Sequence, residues 1–255
     1  MPHPPDRGGP SDGTEPVYAI GDIHGQIGQL EQALRWIETD GGADARIVFL
    51  GDYVDRGPDS RAVLELLADG QATGRNWFPL LGNHDRMFAW FLQDEPRHDP
   101  HLHVGLHWLH DRIGGRETLA SYGVRWAPET RLRDVHDRAR HAIPQAHAAF
   151  LSALPTLWET EELVFVHAGL RPGVALAAQE EDDLIWIRRE FLDHAEPHPK
   201  LVVHGHTAIA EATHHGNRVN LDTGAGYGRP LCAAVFQGGA AWRLTQTGRQ
   251  PLAKG

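Results

Sequence analysis

Two aspartates three residues apart, with an arginine directly behind the second, stand in the stretch "GDYVDRGPDS" at residues 51–60. The run before it, Ile47-Val48-Phe49-Leu50, is apolar and reads as a buried strand that stops at Gly51. Such a strand has no structural use for two like charges at its tip, so Asp52, Asp55 and Arg56 are candidates for chemistry. Four more apolar runs end on comparable groups: "GDIHG" with Asp22 and His24, "GNHD" with Asn83 and His84, "VHAG" with His167, and "HGHT" with His204 and His206. Carboxylate, imidazole and amide oxygen together suit Mn²⁺, Fe or Zn²⁺ rather than a soft, thiolate-preferring ion. One such tip alone is explained by a turn, a helix cap or a satisfied polar residue. Five in succession are not.

The elements that must carry these groups follow a regular beat. "PVYAIGD" predicts a first strand, and Ile27, Leu30, Leu34 and Ile37 then recur at helical spacing. "RIVFLGD" repeats the design, "SRAVLELLADG" reads as a helix closed by Gly70, and "WFPLLGNHD" predicts a third strand. Asp22, Asp52 and Asn83 sit 30 and 31 residues apart, a spacing that fits successive β-α-β units. In such a sheet the carboxyl ends of the strands face one crevice, so the three tips should converge. Residues 93–144 lose the strand signal and read as helices and loops beside the site. Strands resume at "LVFVHAG", "LVVHGHT", "NRVNLDTGA", "LCAAVF" and "AWRLTQT", the later ones as an antiparallel meander. The expectation is an α/β fold in a single domain over residues 16–250, with a mixed or two-sheet core, an insertion at 93–144, and a disordered tail at 1–15.

Composition narrows the partners. The 255 residues are 41% hydrophobic and 23% charged, with a formal net charge of −10. That balance argues against a nucleic-acid partner or an anionic membrane surface, either of which needs a basic face. Local cations can still hold a phosphorylated substrate. The single cysteine, Cys232, excludes an intrachain disulfide and a Cys-based metal site, and reads as an inert core thiol. No apolar targeting or membrane-spanning stretch is apparent, so a cytoplasmic location is expected.

The ordered set "GDIHG", "GDYVDRG", "GNHD", "HAG", "GHT" resembles the calcineurin-like metallophosphoesterases. More narrowly, the DRG signature with "GGRETLASYG" (114–123) and "LIWIRREF" (184–191) resembles the bacterial and phage PPP-type protein phosphatases. That resemblance implies an α/β sandwich of two mixed β-sheets flanked by helices. It implies two divalent metal ions, Mn²⁺ foremost with Fe or Zn²⁺ as alternatives, bridged by Asp52. One ion would take Asp22 and His24, the other Asn83, His167 and His206. His204 falls where the family places no ligand, so it reads as a neighbour of the ligands or as simply structural. The reaction implied is phosphomonoester hydrolysis by direct attack of a metal-bridging hydroxide. His84 would be the general acid, Asp55 its orienting partner, and Arg56 and Arg188 the phosphate clamps; a surface salt bridge is the other reading of Arg188.

The substrate expected on this resemblance is a phosphoprotein or phosphopeptide, phosphorylated on serine or threonine, with tyrosine open. Ala208 stands where many phosphodiesterases of the wider superfamily carry a second histidine, which favours monoesters. Asp85 stands where many protein phosphatases carry Glu and the symmetrical dinucleoside tetraphosphatases carry Asp. Cleavage of Ap4A to ADP is therefore the alternative activity, with Asp55 arguing against it. A phosphodiesterase or nuclease is a third reading, disfavoured by Ala208 and the acidic balance, and a non-catalytic phosphoprotein binder is a reading of a different class, against which the intact ligand set and His84 count.

Other features read as structural. "GAGYG" (224–228) looks like a hairpin turn rather than a dinucleotide loop, since a strand follows it. Asp222 reads as support for the site. His103, His107 and His110 share one face of a predicted helix along the substrate groove. Trp108 reads either as core or as a surface for substrate.

Overall fold

Apolar runs that end in glycine and a polar tip form the first three strand-and-helix pairs. The computed structural model describes residues 15–255; the tail read at 1–15 lies, but for its last residue, outside the described residues. β1 (Val17–Ile20) leads to α1 (Ile27–Gly41), β2 (Arg46–Phe49) to α2 (Ser60–Ala72), and β3 (Trp77–Pro79) to α3 (Asn83–Phe91). A helical stretch follows, with α4 (Gly115–Ser121), α5 (Leu132–Ala142) and α6 (Gln145–Ala153). Next come β4 (Leu157–Glu159), β5 (Leu163–Val166), α7 (Glu181–Trp186) and α8 (Arg189–Leu192). The chain ends through β6 (Leu201–His204), β7 (Thr213–His214), β8 (Arg218–Asn220), β9 (Ala233–Gln237), β10 (Ala240–Thr245), β11 (Gly248–Pro251) and β12 (Ala253–Lys254).

The strands form two mixed six-stranded sheets, ordered β11-β10-β9-β1-β2-β3 and β12-β7-β8-β6-β5-β4. Side chains alternate across a strand, and that alternation sets the layers. Val17, Ala19, Val48 and Ala234 of the first sheet meet Phe165, Val203 and Val219 of the second in a core between the sheets. Tyr18, Ile20, Ile47 and Phe49 point the other way, into the helices that cover the first sheet. Val164, Val166 and Val202 face Leu184, Ile185 and Phe191 on the far side of the second. The result is a helix–sheet–sheet–helix sandwich, as expected for sheets with both faces buried. Among the described residues no helix is long and apolar enough to cross a membrane.

β1, β2 and β3 run parallel, and so do β5, β6 and β8. Each sheet therefore directs three carboxyl ends to one edge, which is where a ligand crevice forms in α/β folds.

Four local expectations need correction. The late strands are not one meander: β8 pairs antiparallel with β7 but parallel with β6, and the antiparallel run β9, β10, β11 lies in the other sheet. Between β8 and β9 the chain crosses from one sheet to the other. "GAGYG" is that crossing, a single 3₁₀ turn at Ala225–Tyr227, and not a hairpin. Gly70 does not close α2, which runs on to Ala72; a Cβ there would sit 2.2 Å from the Trp77 ring, so the glycine makes room for packing. Residues 101–113 form successive turns, so His103, His107 and His110 share no helical face.

Candidate active site

Five non-glycine residues carry positive φ among the described residues: His24, Asp52, Asp55, Arg56 and His206. All five belong to the strand-tip motifs. Left-handed backbone is costly for such residues and persists where surrounding structure over-determines it, commonly at functional sites. Glycines permit the close approaches: a Cβ on Gly205 would lie 2.0 Å from an Asp22 oxygen, and one on Gly82 2.3 Å from Asp52.

The tips of β1, β2, β3, β5 and β6 bring Asp22, His24, Asp52, Asn83, His84, His167 and His206 together, all buried. His24 donates Nδ1–H to the Val54 carbonyl at 2.8 Å, and His167 does the same to the Leu50 carbonyl at 2.8 Å. Each therefore turns the lone pair of Nε2 inward. Burial lowers the pKa of both imidazoles, with the Arg56 guanidinium adding to the effect at His24. Burial, with His167 next, also lowers His206 well below the usual histidine range.

The inward atoms are nearly all acceptors. His167 Nε2 lies 3.0 Å from Asn83 Oδ1 and 3.5 Å from Asp52 Oδ1, and His24 Nε2 lies 3.6 Å from Asp52 Oδ2. His206 Nε2 is buried with no hydrogen-bond partner. Lone pairs facing lone pairs at these distances are repulsive unless a cation lies among them, so the donor set fits a hard or borderline divalent metal. Two groups have the spacing to hold an ion, His24–Asp52–His84 and Asp52–His167–His206, their ligand atoms within 4.8 Å of one another. Asp52 is common to both. Asp22 lies in neither group. Its carboxylate accepts the His206 N–H at 3.1 Å, and burial, followed by the nearby Asp222 and Asp52 charges, pushes its pKa well up. For Asp52 burial acts upward too, but His167 and the other imidazoles outweigh it and hold the carboxyl below its ordinary range.

Asp55 is fully buried and accepts from three side chains: His84 Nδ1 at 2.6 Å, Trp108 Nε1 at 2.9 Å and Thr118 Oγ1 at 2.7 Å. This fixes the tautomer of His84 and leaves its Nε2 toward the cavity. Arg56 lies across the front, with Nη1 2.6 Å from His24 Nε2 and Nη2 3.0 Å from His84 Nε2. Arg188 reaches Thr207 Oγ1 at 3.3 Å, and both arginines line a cavity of about 440 Å³ together with Asp52, Asn83, His84 and His206. The salt-bridge reading of Arg188 gains no partner among the described residues.

Asp85, the letter on which the substrate class was to turn, does not face that cavity. It is fully buried, and its oxygens accept the backbone N–H groups of Asp52, Tyr53 and Gly82 at 2.7, 2.9 and 3.0 Å. It holds two strand tips in register. His204 is likewise turned away, edge-on to Phe191 and 3.3 Å from an Arg218 nitrogen. Asp222 does line the cavity; its pKa is raised to about 6 by burial, against the bond it accepts from Gly224 N–H.

Sequence reasoning left Trp108 ambiguous and did not single out Thr118, the two further donors to Asp55. Thr118 lay inside the quoted "GGRETLASYG", so its motif was visible while its task was not. His101, Arg112, Trp186 and Tyr227 also line the cavity and were not foreseen there. His101 and Arg112 come from a run of turns, Tyr227 from the 3₁₀ turn and Trp186 from the end of the short α7, none of which a hydrophobic periodicity places.

The chain belongs to the calcineurin-like phosphoesterase family, whose domain profile matches residues 15–231. It is 29% identical over 240 residues to serine/threonine-protein phosphatase 1 of Salmonella typhimurium, a match covering 87% of this chain and 92% of that one. It is 41% identical over 69 residues to the symmetrical bis(5′-nucleosyl)-tetraphosphatase of Bordetella pertussis, covering 27% of this chain; the chain spans only 24% of that relative's length. A solved structure provisionally named a diadenosine tetraphosphatase superimposes with a TM-score of 0.63 at 26% identity, over 92% of this chain and 95% of that one.

Proposed function

We propose that this chain is a cytoplasmic phosphoprotein phosphatase with a dinuclear metal site, acting on phosphoserine and phosphothreonine and within reach of phosphotyrosine. The observation that carries the reading is the convergence at one cavity of an acceptor-only ligand set and a carboxylate-held imidazole, Asp55–His84, at 2.6 Å. We read residues 16–250 as the catalytic domain and 93–144 as its insertion.

Asp52 would be shared by the two ions, with Asp22 and His24 on one and Asn83, His167 and His206 on the other. Mn²⁺ is the first choice for this oxygen-and-imidazole set, with Fe or Zn²⁺ as alternatives. When bound, such ions neutralise phosphoryl charge and make water acidic enough to serve as a nucleophile near neutral pH. Arg56 has the planar fork that a phosphoryl group requires, and would exchange its bonds to His24 and His84 for phosphoryl oxygens. Arg188, which lines the same cavity, would supply a second cation. His84, held through Nδ1, presents Nε2 to the leaving oxygen and would deliver the proton that an alkoxide needs. Asp55, with its other lone pairs taken by Trp108 and Thr118, keeps that imidazole from rotating.

The test is phosphate release from Ser-, Thr- and Tyr-phosphorylated peptides by Mn²⁺-reconstituted protein, with Ap4A assayed beside them. Release from peptides with Ap4A untouched is expected. Rapid conversion of Ap4A to ADP with slow peptide turnover would instead favour the dinucleoside reading. One observation supports that second reading: Arg112 joins Arg56 and Arg188 on the cavity wall, giving more positive charge than a single phosphoryl group requires.

A further inference from the structure

One buried arginine ties three separate segments together beside the cavity. Arg86 is on α3, three residues past Asn83, and is 3% exposed. Its Nε and Nη2 donate to Asp99 Oδ2 at 3.2 and 2.8 Å, Asp99 being a buried residue of the 93–144 stretch. Its Nη1 donates to Glu181 Oε1 at 3.1 Å and also to Asp182, both in the first turn of α7.

Two of these carboxylates, Asp99 and Asp182, pass that order on to the cavity wall. Asp99 Oδ2 accepts the Trp186 Nε1–H at 3.2 Å, and Asp99 Oδ1 accepts the His101 backbone N–H at 3.0 Å. Asp182 pairs with His101 Nε2 at 3.1 Å. Trp186 and His101 therefore stack, with centroids 5.4 Å apart and planes 20° from parallel, and both line the cavity. The indole also meets His206 edge-on at 5.8 Å. Neither ring carries a metal-ligating or proton-transferring role in the proposed reaction.

The geometry points to Arg86 as a positioning residue that, through Asp99 and Asp182, fixes a Trp186–His101 wall which receives the part of the substrate beyond the phosphoryl group. The inference rests on the phosphatase reading for its substrate and on contacts alone for the coupling. A guanidinium that donates Nε and Nη2 to buried Asp99 and Nη1 to the exposed Glu181 and Asp182 is directional, so lysine cannot replace it. Two rings held at one angle form a flat, largely apolar face beside a cationic, metal-binding floor. Such a face discriminates by what the phosphate is attached to, while leaving the phosphoryl group to Arg56 and Arg188.

The experiment compares a small ester, p-nitrophenyl phosphate, with a phosphothreonine peptide, in the full chain with Mn²⁺. Arg86→Gln, Asp99→Asn and His101→Ala are the variants; Asp99→Asn keeps the buried shape and His101 is at the surface, which guards against a misfolded Arg86 variant. We expect kcat/KM for the peptide to fall about tenfold or more relative to that for the small ester, mostly through KM, a size consistent with displaced positioning groups. Hydrogen exchange should quicken together in residues 98–106 and 181–187 of Arg86→Gln and Asp99→Asn, and Arg86→Lys should rescue neither property. Equal losses on both substrates, or exchange that changes in only one segment, would overturn the inference. A parent protein that hydrolyses neither ester would defeat the phosphatase reading instead, and the exchange measurement would still decide the coupling.

Discussion

At the scale of single residues, proximity to the ligand set does not by itself assign a role. His84 stands within metal-binding distance of His24 and Asp52, yet its Nδ1 is committed to Asp55. The two roles separate experimentally. As a general acid, His84→Asn should lower kcat on a phosphothreonine peptide by roughly 10²–10⁴-fold, with a smaller loss on p-nitrophenyl phosphate, whose leaving group needs little protonation. Calorimetry should find Mn²⁺ binding undiminished; loss of one ion would make His84 a ligand and remove the acid assignment. Asp85 gives the contrasting case. Asp85→Ala would strand three buried N–H donors, each costing about 1–3 kcal/mol, so urea unfolding should show a loss of several kcal/mol. Asp85→Glu should lower stability while leaving the ratio of peptide to Ap4A turnover unchanged, because the side chain is walled off from the cavity. A reversed ratio would return Asp85 to the substrate problem. The ligand candidates were legible because each ends an apolar run, where charge has no structural excuse. Trp108 and Thr118 were not, because a donor to a buried carboxylate looks in sequence like any core tryptophan or helix threonine.

At the scale of elements, the apolar-run strands and glycine-punctuated tips were readable, and what glycine does inside a helix was not. Gly70 near the end of α2 reads as a stop signal, since glycine favours helix ends. Its real constraint lies across the layer, in the Trp77 ring at 2.2 Å from where a Cβ would be. The two readings predict opposite signs. An ordinary mid-helix Gly→Ala change gains about 0.5–1 kcal/mol from propensity. Overpacking against a fixed indole costs about 1–3 kcal/mol, so Gly70→Ala should be net destabilising. Urea midpoints of the two proteins decide it; a midpoint raised by the alanine would show that Trp77 yields freely. The same blindness explains the misplaced meander. Short turn-separated strands announce antiparallel neighbours only when they stay in one sheet. The chain between β8 and β9 leaves its sheet at a turn whose sequence, "GAGYG", is equally suited to a hairpin.

At the scale of the whole molecule, the two sheets bring their polar strand tips together at one edge. Asp22 and Asp52 arrive from β1 and β2, His167 and His206 from β5 and β6, and cross-sheet bonds link them: His167 Nδ1 to the Leu50 carbonyl at 2.8 Å, His206 N–H to Asp22 at 3.1 Å. Buried carboxylates with few cations among them oppose folding, and the raised pKa values of Asp22 and Asp222 record that opposition. Divalent ions held between the sheets would remove the repulsion and bind the folded state alone, so they should stabilise the entire sandwich and not merely the loops that touch them. The linkage gives a magnitude. Free Mn²⁺ at a hundred times its Kd adds about 2.7 kcal/mol per site. For a domain of this length that corresponds to a rise in Tm of roughly 5–10 °C. Calorimetric scans across a Mn²⁺ series should show one transition moving upward with concentration, reversed by EDTA. Asp52→Asn, which would weaken both proposed sites at once, should abolish most of the shift. If Mn²⁺ raised its Tm as much as that of the parent, the ions would be binding elsewhere and Asp52 could not be the bridge. A second transition that stayed fixed while the first moved would mean that the sheets melt separately and that no ion joins them.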